Sequence, residues 1–448
     1  MSAAASPVNL TLVTIGGSVG VCVLGRMARR DWFHPFLFPF GYVALTLLAP
    51  LTYLVIGHQS IGVLAPSEGS LGLTAAFTLT LAGLASGTGL GMAVTSSLQT
   101  RRMQRRVDNS NLLFLGRLAL AVTIPLRLYE IATHIGQPYG QGSAVDFGPD
   151  KALAAASVML LLVGVILVVV ANTQLRDTIA TRSDFGLFAL VAVPTLLSGS
   201  RGDLVAPVVF ALWAHNTYVR RIHLGTGFVV AVVIVFLFQG VSGSRSGAAF
   251  YEGPQQAVAR TLSTIGVPAF TTARTIEHVP TDQPFLHGTT YLSAIERQLP
   301  SFVATPLLGP PTDTGTFVFR RVIHFNSPNA GFAYSLPAEG YLNWGFLGVF
   351  GVAALGGVLL GYSYKKQGSP PTRALHLLYP VIVASLPGSL RSDAVAQIKL
   401  VFYPMVILAT AYAIARIADA RDVSPSSPKR VHTPNTAASG AISPGLET

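Results

Sequence analysis

Apolar runs long enough to cross a bilayer recur from one end of this chain to the other, and no other feature limits its fold as tightly. They fall at residues 9–25, 33–57, 71–95, 111–131, 151–172, 184–199, 203–218, 225–241, 339–362, 374–389 and 395–417. Hydrocarbon offers no partner to a backbone N–H or C=O, so a spanning segment must close its hydrogen bonds within a helix or a sealed barrel. Runs of this length, without two-residue alternation, favour helices. Half of the 448 residues are hydrophobic and only 11% are charged. The chain is therefore expected to be an all-α polytopic membrane protein with about eleven transmembrane helices.

The short loops carry their charge on alternate sides. Arg26, Arg29 and Arg30 follow the first run; Arg101, Arg102, Arg105 and Arg106 the third; Arg176 and Arg182 the fifth; Arg220 and Arg221 the seventh; Lys365 and Lys366 the ninth. Basic loops stay in the cytoplasm, so the N-terminus is expected outside and the C-terminus inside. Much of the formal net charge of +11 then reports topology, which argues against a nucleic-acid partner and for membrane lipids. The first run has no basic stretch before it and reads as a true span, not a cleaved leader. Cys22 is the single cysteine, so an internal disulfide and a cysteine-based metal site are excluded.

Four regions follow. Residues 1–241 form an N-terminal membrane bundle of about eight spans, 242–338 an extracytoplasmic segment, and 339–420 a C-terminal group of about three spans. Residues 421–448, rich in Ser, Pro, Thr, Ala and Gly, are expected to be a disordered cytoplasmic tail. In the external segment, Val258, Leu262 and Ile265, then Tyr291, Leu292, Ile295 and Leu299, recur at helical spacing. Amphipathic helices at the outer leaflet or a small globular cap would both fit this pattern.

Three external turns bear an arginine among small or polar residues: Ser200-Arg201-Gly202-Asp203, Gly243-Ser244-Arg245-Ser246-Gly247 and Leu390-Arg391-Ser392-Asp393. Glycine and serine admit a bulky oxyanion close to the backbone, and guanidinium offers a planar fork of donors suited to phosphate oxygens. Taken singly, each arginine could equally anchor at the interface. Asp203, at the start of a span, reads as a helix cap. Arg127 and Glu130, three apart on the fourth span, are either an ion pair or a further wall of the site. Arg117, lower on that span, reads as a side chain reaching for the interface.

A second informative stretch runs from Ser335 to Gly348, where the external segment returns to the membrane. Glu339 and Asn343 share one helix face, with Tyr341 between them, and Glu339 is a general base, a carboxylate that orients an arginine of the cluster, or an acid at its own helix N-terminus. Gly345, Gly348, Gly357 and Gly361 read as helix-packing positions. The external His278, His287 and His324 lack metal-ligand spacing, so no metal is expected, although a histidine base stays open. No P-loop, nucleophile elbow or cytoplasmic D-x-D pair is present, so nucleotide-driven chemistry loses support.

Gly199-Ser200-Arg201-Gly202, Gly243-Ser244-Arg245, Pro300, Glu339 through Gly348 and Arg391, set in the eleven-span layout, resemble the Wzy-type O-antigen and capsular polysaccharide polymerases, the oligosaccharide repeat unit polymerases. The resemblance implies transfer of a glycan from undecaprenyl pyrophosphate onto a second lipid-linked repeat unit, at the outer face of a bacterial cytoplasmic membrane. It implies that Arg201, Arg245 and Arg391 bind pyrophosphate, that Glu339 deprotonates the acceptor hydroxyl, and that Arg127, Asn343 and Tyr341 are further site candidates. It implies no metal or soluble cofactor, and a chain-length regulator as a partner. A lipid-linked glycan ligase with a histidine base is the related alternative. A flippase for lipid-linked oligosaccharides is the alternative of another class, against which the uncharged span centres argue.

Overall fold

The computed structural model describes residues 33–37, 41, 46, 69–96, 109–134, 149–197, 202–223, 254–299, 305–307, 309, 312–323, 334–367, 373–389 and 391–422. The expected spans at 9–25 and 225–241, most of 33–57, and the tail beyond Asp422 lie outside them. So do Arg201, Arg245 and His324.

Every regular element among the described residues is a helix. In chain order the helices are α1 (Gly69–Ser96), α2 (Asn109–His134), α3 (Pro149–Arg176), α4 (Arg182–Leu197), α5 (Gly202–Ala214), α6 (Pro254–His278), α7 (Thr289–Glu296), α8 (Gly315–Val318), α9 (Leu336–Lys366), α10 (Leu378–Ser389) and α11 (Ala394–Asp422). Among the described residues, five helices are long and apolar enough to cross a membrane: α1, α2, α3, α9 and α11. Three further expected spans correspond to shorter helices. These are α4 with 16 residues, α5 with 13 and α10 with 12, and each contains a proline: Pro194, Pro207 and Pro387. At 1.5 Å per residue, α4 covers about 24 Å. A π-helical turn at His215–Val219 lengthens α5, and a 3-10 turn at Ala374–Leu377 leads into α10.

Packing follows side-chain size. In α1, Gly83, Gly87 and Gly91 face α9, and in α9, Gly357 and Gly361 face α1. A Cβ at Gly87 would stand 2.0 Å from the Ala354 carbonyl oxygen, and one at Gly361 2.2 Å from that of Thr88. The two backbones therefore touch, which only glycine permits. Contacts rise together along both helices, Gly83 meeting Phe350 and Gly91 meeting Val358, so α1 and α9 run parallel. Parallel is the relation expected if both enter from the same side. By contrast, Gly116 meets Leu167 and Val168 while Gly164 meets Leu120, which makes α2 and α3 antiparallel.

Two helices form the centre. The apolar run Leu161–Ala171 of α3 is almost wholly buried, and every residue from Tyr379 to Leu386 of α10 is buried. A helix apolar all round belongs inside other helices. Peripheral helices instead leave large apolar groups exposed, among them Leu90, Phe114, Leu355 and Ile417, as lipid-facing surfaces do.

The helical spacing between residues 242 and 338 becomes α6 and α7. Ile276 of α6 packs against Gly72 of α1, and α6 also lies along α9.

Polar side chains within the bundle correct two expectations. Arg117 does not simply reach for the interface: its Nε donates to Asp184 at 2.8 Å, and Asp184 also accepts from Asn172 and Thr181. Asp203 is not merely a cap on α5, because it accepts from Arg127 at 2.8 Å. Arg127 is fully buried and also donates to Glu130 at 2.7 Å. It thereby joins α2 to α5, two residues past Arg201. A buried guanidinium needs such partners, since desolvating an isolated charge is prohibitive.

Candidate functional site

The site is built around a break in α9. Ser335 caps the helix, its hydroxyl accepting from the Ala338 N–H at 3.2 Å, and Pro337 suits the first turn. Helical geometry then fails at Trp344 (φ −144°, ψ 23°) and Gly345 (φ 62°, ψ −149°). The Gly345 conformation is essentially restricted to glycine. This residue is a hinge rather than the packing position its spacing suggested. The break folds the first two turns back, so that Gly340 and Gly348 meet with backbone contact.

A broken helix leaves carbonyls without their usual partners. The loop before α7 supplies them: Leu286 N–H donates to Leu342 O and His287 N–H to Asn343 O, both at 3.1 Å. Asn343 completes the join. Its Oδ1 accepts from Gly288 N–H at 2.8 Å, and its Nδ2 donates to the Thr290 hydroxyl at 2.8 Å and to Glu339 O at 2.9 Å. Gly288 has φ 94°, and a Cβ there would strike the Trp344 ring. Trp344 in turn lies parallel to Tyr291, ring centroids 5.5 Å apart.

Glu339 sits at the centre and is buried. Its Oε2 accepts the Ala394 N–H at 2.6 Å, the first amide of α11. The carboxylate thus meets the positive end of a second helix in addition to its own. Its Oε1 has no hydrogen-bond partner among the described residues. Thr290 lies within reach of the carboxylate, and Gly315 of α8 approaches it so closely that a Cβ would stand 3.1 Å from Oε1.

Arg391 lies in the turn joining α10 to α11, three residues before the amide that binds Glu339. It is half-buried, and its Nε has no partner among the described residues. Asp393 caps α11 through the Ala396 N–H at 3.3 Å. Lys399, one turn into α11, is within electrostatic reach of Asp393 and of Arg297, a cation the sequence did not single out. The segment just after α7 is tied to this corner as well: Tyr403 donates to Gln298 O at 3.0 Å.

The structure thus brings together Glu339, Asn343 and the Arg391 turn. Tyr341 packs with Phe285 and Phe346, and Arg127 is engaged by Glu130 and Asp203, away from this corner. His278 pairs with Asp282 at 2.5 Å, and His287 contributes its backbone amide. Among the described residues, no group of three His, Cys, Asp or Glu side chains is placed to hold a metal. Two tyrosines that the sequence did not mark as site residues border Glu339. Burial first, and the carboxylate second, push the phenols of Tyr291 and Tyr334 well above their ordinary range, so both stay protonated.

Such a corner offers a carboxylate held by a helix N-terminus, phenol groups within electrostatic reach of it, and an arginine in the turn that leads to that helix. That is equipment for acid–base chemistry on a hydroxyl compound near an anionic group. No curated protein and no solved structure matches the chain. The family described as O-antigen polysaccharide polymerase Wzy matches residues 152–418, which include nearly all of α3, the whole of α4 to α10 and nearly all of α11. With more than half its length matched, the chain belongs to the O-antigen polysaccharide polymerase Wzy family.

Proposed function

We propose that this polymerase joins lipid-linked repeat units at the outer face of the cytoplasmic membrane, with Glu339 as the base and Arg391 at the leaving group. The acceptor hydroxyl gives its proton to Glu339, and its oxygen attacks the anomeric carbon of the donor glycan. The bond from that carbon to the phosphate oxygen breaks, and undecaprenyl pyrophosphate leaves with the electron pair. Arg391, with Arg201 and Arg245, takes up the developing negative charge. Fixed guanidinium groups fill the role a cation would otherwise have, so the reaction in this reading uses no metal. The orientation rests on the alternation of basic loops, which puts this corner outside.

One observation carries the reading: Glu339 is held through Oε2 by the amide of Ala394, which follows Arg391 by three residues at a helix N-terminus, while Oε1 has no hydrogen-bond partner among the described residues. The test is polymerisation by the purified protein in lipid nanodiscs, given lipid-linked repeat unit alone and resolved by product length. Wild type should form a ladder. Glu339→Gln, which can still accept from Ala394, should lose about a hundredfold or more in rate while unfolding at the same temperature. Arg391→Lys should also lose activity, because the planar fork is gone while the charge remains. A ladder of normal rate from Glu339→Gln would sink the assignment of the base.

A further inference from the structure

A cavity of about 380 Å³ lies between α3, α4 and α5. It stands toward the end of the bundle opposite Glu339. Asn111, near the start of α2, donates to Asp419 at 2.9 Å, and Asp419 is about 37 Å of helix away from the Ala394 amide that binds Glu339. Arg117, less than two turns further along α2, holds Asp184 of the cavity wall. The walls are almost wholly apolar, and the cavity is not sealed, since Phe185 beside Asp184 is exposed. Its volume falls within the roughly 300–1,000 Å³ of sites for organic ligands. Water finds few partners there, because the Asp184 carboxylate already accepts from Arg117, Asn172 and Thr181.

Polarity is ordered along this space. On α5, Ala211 lines the interior, His215 follows one turn later, and Arg220 and Arg221 stand beyond the helical turns. His215 Nδ1 is buried with no hydrogen-bond partner among the described residues, a state that native proteins rarely leave without a role. Asn216 Oδ1 accepts from the Ile222 N–H at 3.0 Å and so returns Ile222 to the cavity wall, with both arginines in the loop thus closed. Across the cavity, Ile179 and Ala180 line it from the loop between Arg176 and Arg182. All four arginines are exposed, and none pairs with a carboxylate among the described residues. Asp177 is the one acid in these two loops. An apolar chamber, then a lone polar atom, then a cluster of cations matches a glycerophospholipid read from acyl chain through ester to phosphate.

We propose that this cavity holds one acyl chain of an anionic glycerophospholipid, whose ester carbonyl accepts from His215 and whose phosphate is bound by arginines of the two loops. Filling the space restores the dispersion contacts that its walls lack. The site is separate from the Glu339 corner, and none of its readouts needs polymerisation.

The test is photocrosslinking of the full chain in phosphatidylcholine nanodiscs that carry a small fraction of phosphatidylglycerol with a diazirine on one acyl chain. The same label on phosphatidylcholine is the comparison, and adducts are located by peptide mass spectrometry. Phosphatidylglycerol adducts should concentrate around Ala211 of α5, on the order of tenfold above those of phosphatidylcholine. Arg182→Gln combined with Arg221→Gln should remove most of that preference, since each arginine near a headgroup contributes about fivefold. Ala211→Phe, which occupies the cavity, should abolish these adducts and unfold at the wild-type temperature or above. Equal yields from the two lipids in wild type would overturn the proposal, as would a preference that survives the double arginine change. Absence of cavity adducts in wild type, with a lower unfolding temperature for Ala211→Phe, would mean that the chain's own residues 225–241 fill the space, and would overturn it too.

Discussion

Replacing Gly87 by alanine puts the parallel seam between α1 and α9 under direct strain. The added Cβ would stand 2.0 Å from Ala354 O, 2.8 Å from its carbonyl carbon and 3.0 Å from its Cα. All three are backbone atoms, so no side-chain rotation relieves the overlap. Ordinary contact begins at 3.4 Å, so the helices must part locally by about 1.4 Å, enough to forfeit roughly half the dispersion attraction across the gap. Overpacking of this kind costs about 3 kcal/mol, offset by about 1 kcal/mol for alanine's better helix propensity. The net loss is about 2 kcal/mol. Gly89 is the control: it lies two residues further along α1, and a Cβ there meets nothing within 4 Å. Gly89→Ala should therefore gain up to about 1 kcal/mol from propensity alone. Denaturant unfolding in detergent, followed by circular dichroism, should separate the two variants by about 3 kcal/mol. Equal stabilities would refute the contact geometry of the seam.

Three further outcomes follow from the same structure. Arg127→Ala strands Glu130 and Asp203 and should destabilise by about 3 to 5 kcal/mol, while Arg127→Met combined with Glu130→Gln and Asp203→Asn should recover most of that, both read from unfolding curves. Gly345→Ala forces a side chain into a conformation with φ 62° and ψ −149° and should cost about 1 to 3 kcal/mol, with polymerisation falling further than stability as the break shifts. Asn343→Ala removes three hydrogen bonds at once and leaves the Gly288 amide without its partner, so hydrogen exchange at Leu286 to Gly288 should quicken by at least tenfold at about 1.4 kcal/mol per factor of ten.

Much of the secondary structure was legible in the chain itself. The run at 71–95 became Gly69–Ser96, that at 339–362 became Leu336–Lys366, and that at 395–417 became Ala394–Asp422. Each helix must satisfy its own backbone in lipid, so length and hydropathy are nearly sufficient to find it. The helices between residues 242 and 338 were legible too, α7 from Leu292 and Ile295 at helical spacing. Glu339 and Asn343 stood out because a carboxylate and an amide on one face near the end of a span are uncommon. Gly345 was misread, since glycine signals close packing and a broken helix with the same letter. The apolar runs at 184–199, 203–218 and 374–389 correspond to the shorter helices α4, α5 and α10, whose ends the runs mark to within a few residues.

What the sequence determined was local: which segments are apolar, how their loops are charged, and which polar residues sit at their ends. What only the tertiary structure decided was pairing. Arg127 finds Asp203 across 76 positions, Arg117 finds Asp184 across 67, and Glu339 finds the Ala394 amide across 55. Such partners are chosen by which helix faces meet, and that follows from packing summed over the whole bundle, with glycines in one helix admitting the backbone of another. Periodicity along a single segment carries no record of it, so the seating of Glu339 on the Ala394 amide and the two tyrosines beside it appear only once the helices are assembled.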